Sequence, residues 1–185
     1  MAKKRSNTAA LSGLVERPAE HVVIDDVDRA ILRELAADAR LSQRSLARNV
    51  QMSAPAVAER VARLERLGVI AGYSADIDWD RLGLSVLVYV LIVLDTGQDI
   101  APTTTALHEL DELEDLTVLA GRYDMIARFR LRDHAHVREL LLDRLWQLPN
   151  VARMETMFGL GRIPLTRLAD RLLGDGGETG GVIPN

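Results

Sequence analysis

Residues 41–70 read LSQRSLARNVQMSAPAVAERVARLERLGVI, the pattern of two short helices joined by a tight turn. Ser42 is placed to cap a first helix with Leu46 and Val50 on one face, and Ser53 to cap a second that runs to Leu67 and stops at Gly68. Pro55 falls in the second helix's first turn, where its missing N–H is tolerated. Val57, Val61 and Leu64 recur at i, i+4 and i+7 and make one inward stripe. Glu59, Arg63 and Arg66 lie opposite, with Arg60 on the flank. Arginines presented in this way suit phosphates and guanine edges in a DNA major groove. Ala54, Pro55 and Ala56 are small enough for close approach to a backbone or a thymine methyl. The DNA-contact set expected from this stretch is Arg44, Ser53, Ala54, Pro55, Ala56, Glu59, Arg60, Arg63 and Arg66.

The stretch from Arg40 to Arg66 holds six Arg against two Glu, whereas the 185-residue chain has 23 Lys+Arg, 27 Asp+Glu and a net charge of −4. Charge is therefore partitioned. Residues 1–78 carry 12 basic and 11 acidic side chains and residues 79–185 carry 11 and 16, so the second half is a poor nucleic-acid surface. The chain has no cysteine, which excludes disulfides, thiolate metal sites and a Cys nucleophile. No stretch has the length of a membrane span and the N-terminus lacks a signal-peptide core, so a cytoplasmic protein is expected.

Upstream, residues 1–23 lack periodicity and read as a flexible arm opening with Lys3, Lys4 and Arg5. Asp25 or Asp26 then opens a helix with Val27, Ile31 and Leu35 on one stripe and its acidic residues at the favourable end of the helix dipole. Three short helices with a common apolar centre give a helix-turn-helix domain over 24–68. Beyond Gly68, VIAGYSADID (residues 69–78) has β-type composition, and 69–83 reads as a linker strand.

The second domain, 84–164, begins with LSVLVYVLIVL, Leu84 to Leu94, with hardly a polar side chain. Val86, Val88, Val90 and Ile92 line one face and Leu87, Tyr89, Leu91 and Val93 the other, so both faces need cover. Too few helices follow to cover both, and a second copy of the chain is expected on one of them. Val86, Val88, Val90 and Ile92 are the expected dimer-interface set. A helix from Pro102 with Leu107, Leu110 and Leu113 inward, a short strand at Val118 to Ala120, a turn at Gly121, Arg122, Tyr123 and Asp124, and a strand at Met125 to Leu131 follow. A helix capped by Asp133 and a last strand from Val151 to Phe158 complete a βαββαβ order, the ferredoxin-like arrangement. Residues 165–185 read as a short helix, with Leu165, Leu168 and Leu172 on one side, and a Gly-rich disordered tail.

The turn at Gly121 to Asp124 offers a second site. Backbone N–H groups at Gly121 could meet a ligand carboxylate, with Arg122 as an alternative partner; Asp124 could pair with an ammonium, and Thr156 could add a hydroxyl. An amino acid carries both charges. His108, His134 and His136 have no cysteine or further close ligand beside them, so no metal is expected. Spacing assembles no Ser-His-Asp constellation, and no catalytic residue or cofactor is assigned.

This order of parts resembles the Lrp/AsnC family of transcriptional regulators. The residues that carry the resemblance are Asp28-Arg29-x-Ile31-Leu32; Ser53-Ala54-x-Ala56-Val57-x-Glu59-Arg60-Val61-x-Arg63-Leu64-Glu65; Gly68-Val69-Ile70-x-Gly72-Tyr73; and Gly121-Arg122-Tyr123-Asp124. The resemblance implies an α+β chain: a winged-helix-like DNA-binding domain joined to an effector domain that dimerises through its sheet. It also implies assembly to tetramers or octamers and control by a small effector, often an amino acid. Gln51 stands where the family has glycine; if that residue takes positive φ, the side chain costs about 1 kcal/mol. Met154 and Gly159-Leu160-Gly161 also depart from the pattern. Two rivals share the domain pair: an enzyme resembling sirohaem decarboxylases, which the Arg-rich helix face disfavours, and an amino-acid-binding module without DNA.

Overall fold

The computed structural model describes residues 20–174. These divide into two compact units, 20–76 together with 163–174, and 77–162. Most of the expected arm and nearly all of the Gly-rich tail lie outside the described residues.

In the first unit α1 (Asp26–Ala37), α2 (Gln43–Asn49) and α3 (Ala54–Arg66) enclose Ile31, Leu46, Ala47, Val57, Val61 and Leu64. Each fully buried aliphatic contributes about 1.5–3 kcal/mol, so the i, i+4, i+7 stripe of α3 is the main adhesive. Helix α1 starts in a reciprocal capping box, in which Asp28 N–H donates to the Asp25 carboxylate and Asp25 N–H to that of Asp28. Ser42 caps α2 by accepting from Ser45 N–H at 3.1 Å.

Helix α2 ends in a Schellman turn, with Gln51 N–H donating to the Arg48 carbonyl at 3.2 Å and Met52 N–H to the Ala47 carbonyl at 2.8 Å. Helix α3 ends in the same pair of bonds, from Gly68 to Glu65 and from Val69 to Leu64. The left-handed residue is Gly68 (φ 69°) in one turn and Gln51 (φ 55°) in the other. The turn between α2 and α3 thus holds its geometry at the expense of a left-handed Cβ.

Residues 71–78 form no strand, contrary to expectation. Val69 and Ile70 pack on the helical core, and the β-type composition that follows finds no partner strand in this unit. A short helix, α4, is confined to Leu168–Leu172, and Leu165, Leu168 and Leu172 are exposed rather than packed.

In the second unit β1 (Val86–Leu94), α5 (Ala101–His108), β2 (Leu113–Val118), β3 (Met125–Leu131), α6 (His134–Glu139) and β4 (Val151–Gly159) follow the βαββαβ order. Helix α6 continues through one π-type turn, Leu140–Arg144, and a 3-10 turn, Leu145–Gln147. The antiparallel sheet has the order β2-β3-β1-β4. The second strand lies earlier than expected, because α5 ends at His108 and Leu113 already belongs to β2.

Register fixes which side each residue takes. Val88, Val90 and Ile92 pair with Phe129, Ala127 and Met125 and, with Leu107, Val137, Leu140 and Leu145 from the helical layer, form the buried core. Val86 packs against that core too. The expected interface set of Val86, Val88, Val90 and Ile92 is therefore turned toward the domain's own helices. The face that no helix covers carries Leu87, Tyr89, Leu91 and Val93, the opposite parity. Alternation told the two faces apart without telling which one the helices would take.

Candidate DNA-binding face and effector turn

Helix α3 presents Pro55, Glu59 and Arg66 as exposed residues, with Ala62 between them, on the side opposite Val57, Val61 and Leu64. Ser53 has extended backbone and makes no side-chain cap hydrogen bond. Pro55 offers no N–H, so the helix start presents a hydroxyl and the Ala54 and Ala56 amides beside small side chains. Such a terminus is suited to a phosphate. Arg44, on α2, is exposed as well.

Arg60 and Arg63 are placed differently. Arg60 Nη1 donates to Asp25 at 2.7 Å and to Asp28 at 2.8 Å, and Arg63 Nη1 donates to Asp28 at 3.0 Å. Arg63 Nη2 also reaches the Val23 carbonyl at 3.4 Å. Asp28 is only 1% exposed, and a buried carboxylate requires such partners. The Asp28 amide and then the Arg60 guanidinium hold the Asp25 carboxyl below its usual range, and hydrogen bonds to the Asp25 and Asp28 carboxylates push Arg60 up. Of the expected DNA-contact set, Arg44, Ser53, Pro55, Glu59 and Arg66 are thus open; Ala54 and Ala56 are half-buried at the helix start; Arg60 and Arg63 are tied to α1. Asp25 and Asp28 read in sequence only as acidic residues at a helix start, and nothing local links them to arginines 32–38 positions away.

The turn between β2 and β3 exposes Gly121 and Arg122, and a Cβ built on Gly121 would meet nothing within 4 Å. Asp124 is built into the sheet: its N–H donates to the Ile92 carbonyl, its own carbonyl accepts from Leu119, and its Oδ2 accepts from Leu94 N–H at 2.9 Å. Its carboxylate thus has a structural duty besides the expected ligand contact. The Tyr123 hydroxyl donates to Glu155, and the Arg122 and Arg153 guanidiniums lie 5.6 and 5.8 Å from its ring centroid. The bond to Glu155 pushes the Tyr123 hydroxyl up. Thr156 pairs with Val90 and so faces the helical layer, whereas Glu155 pairs with Leu91 on the open face. The structure does not bring Thr156 to Tyr123, because neighbouring residues of one strand point to opposite sides. Glu155 and Arg153, unremarked in sequence, stand beside the turn instead.

The histidines do other work. His136 is buried, accepts at Nδ1 from Arg132 N–H, and its Nε2 lies 3.0 Å from Glu112, which also accepts from Arg144. His134 stacks obliquely on Phe158. Among the described residues no three His, Asp or Glu side chains converge as a metal site, and no helix is long and apolar enough to cross a membrane.

Comparison with known proteins bears on both sites. Residues 24–71 match the family model described as winged helix-turn-helix DNA-binding, and residues 87–168 match that of the Lrp/AsnC ligand binding domain. The chain is 39% identical over 132 residues to the proline dehydrogenase transcriptional activator of Rhodobacter capsulatus, covering 70% of this chain and 86% of the relative. It is 38% identical over 133 residues to the leucine-responsive regulatory protein of Escherichia coli, covering 69% and 79%. A transcriptional regulator of Neisseria meningitidis, crystallised as an L-Met complex, shares the fold with a TM-score of 0.74 at 21% identity, over 78% of this chain and 94% of that one. Matched over residues 24–71 and 87–168 and 38–39% identical to these regulators, the chain belongs to the Lrp/AsnC family of DNA-binding transcriptional regulators.

Proposed function

We propose that two copies of this chain, paired through their sheets, insert α3 into successive major grooves, and that an amino acid bound at the Gly121–Asp124 turn alters which operators the pair engages. The observation that carries the reading is the open side of α3: Pro55, Glu59 and Arg66 exposed, an unbonded Ser53 hydroxyl at the start, and a fixed turn behind it. Two recognition helices related by a dyad read half-sites about 34–36 Å apart or a multiple of it.

The pairing surface is the uncovered sheet face. Leu87, Tyr89, Leu91 and Val93 form an apolar stripe with Ile126 beside it and Arg128, Arg130 and Glu155 around it. Glu114 lies within 3.3 Å of both Arg128 and Arg130, and Tyr123 bonds Glu155, so the rim is already charge-balanced and the stripe can meet its own copy around a two-fold axis. At the turn, the exposed Gly121 backbone and Arg122 suit a carboxylate, and Asp124 and Glu155 suit an ammonium. The L-Met carried by the Neisseria regulator supports an amino acid as the ligand class. Such a ligand acts only through different affinities for two arrangements of the subunits.

The test has two arms. Binding of the full chain to the DNA upstream of its own gene is measured with and without each amino acid, and the same amino acids are screened by thermal shift. A protein that binds no such duplex at low salt is not this regulator; one that binds but responds to no amino acid has lost the effector half of the proposal.

A further inference from the structure

Four side chains form a closed electrostatic group at the flank of α3: Asp25, Asp28, Arg60 and Arg63. Their formal charges cancel. A single atom, Arg60 Nη1, serves both carboxylates. For Arg60 or Arg63 to turn toward a phosphate, Asp28 would lose a partner while 1% exposed, and an uncompensated buried charge costs more than a solvent-screened phosphate contact returns.

We propose that Asp25 and Asp28 are internal counter-ions that withhold Arg60 and Arg63 from nucleic acid. Asp28 is a positioning residue: it acts through the two arginines and does not itself touch DNA. When α1 folds against the basic patch, two of its six Arg have their Nη1 donors taken up by carboxylates and are no longer presented to phosphate. The sequence-independent attraction to DNA is correspondingly weakened, leaving phosphate contact to Arg44, Arg66 and the start of α3 and raising the share of affinity that depends on base contacts. This inference rests on the DNA-binding reading above.

The full-length chain is titrated by fluorescence anisotropy onto a random-sequence duplex and onto the DNA upstream of its own gene, between 50 and 200 mM KCl. A phosphate contact adds about 0.9 to the slope of log affinity against log salt, or about 3.5-fold over that range. Arg60→Gln and Arg63→Gln are each expected to leave the wild-type slope unchanged; a slope shallower by about 0.9 in either overturns the proposal. Asp25→Asn with Asp28→Asn is expected to steepen the slope by about 0.9–1.8, so that the ratio of random-sequence affinities at 50 and 200 mM KCl grows about 3- to 12-fold over the wild-type ratio. A folded double variant with the wild-type slope overturns it too. Asp25→Asn retains an N-cap, so if the double variant does not fold, the two arginine variants decide. Failure of the wild-type chain to bind either duplex is a separate result, which removes the DNA-binding reading itself.

Discussion

Gln51→Gly is expected to stabilise the helix-turn-helix unit by about 0.5–1 kcal/mol. Gln51 sits at φ 55°, where a Cβ costs about 1–2 kcal/mol against the following carbonyl; glycine removes that cost and returns about 0.5–1 kcal/mol as extra freedom of the unfolded chain. The side chain is exposed, so little contact is lost. An internal control lies 17 residues on, where Gly68 occupies the same position of the same turn and a Cβ there would meet nothing within 4 Å. Gly68→Ala should therefore lose about what Gln51→Gly gains, purely through the backbone. Both tryptophans, Trp79 and Trp146, lie in the other unit, so fluorescence would miss the change. Hydrogen exchange at the α2 and α3 amides reads it directly: global-opening exchange should slow about two- to five-fold in Gln51→Gly. Gln51→Ala, which keeps the Cβ, should show no such slowing. Equal protection in the glycine and alanine variants would refute the claim that left-handed strain resides at this turn.

Other outcomes follow from the effector domain. Tyr89→Asp places a charge in the uncovered stripe and should weaken self-association by about 100-fold or more without unfolding the domain, whereas Val90→Asp should unfold it; light scattering and circular dichroism separate the two, and a Tyr89→Asp dimer of wild-type strength removes this face from the interface. Asp124→Ala leaves Leu94 N–H without its acceptor and should cost about 1–3 kcal/mol. Asp124→Asn keeps that acceptor and should retain the fold while losing effector affinity by calorimetry; unchanged affinity would strike Asp124 from the site. Burial acts to raise the Glu112 carboxyl, but the His136 hydrogen bond and the Arg144 charge hold it below the ordinary carboxylate range. Its stabilisation is full above that range and lost as pH falls through the lowered value. Denaturation midpoints from pH 7 to pH 3 should therefore fall more steeply for the wild type than for Glu112→Gln, and parallel curves would contradict this.

Much of this protein was legible in residue order because the deciding interactions are local. Caps at Ser42 and Asp133, the Val57-Val61-Leu64 stripe, the stop at Gly68 and the strand from Met125 to Leu131 depend on neighbours within a turn or on simple alternation, and each stands where the sequence placed it, while the first helix takes Asp25 of the two candidate openers Asp25 and Asp26. The positive φ at residue 51 follows from the same local geometry. What the sequence left open was settled by contacts distant along the chain. Alternation in β1 marks two apolar faces but is symmetric between them; only the docking of α5 and α6 made Val88, Val90 and Ile92 interior and put Leu87, Tyr89, Leu91 and Val93 on the face without helices, where Leu91 is buried among its neighbours and the other three are half-buried. Likewise the helical wheel of α3 shows where Arg60 and Arg63 point, but not that Asp25 and Asp28, more than thirty residues earlier, fold beside them. A charge acquires its function from its partners, and those partners are assembled only by tertiary packing.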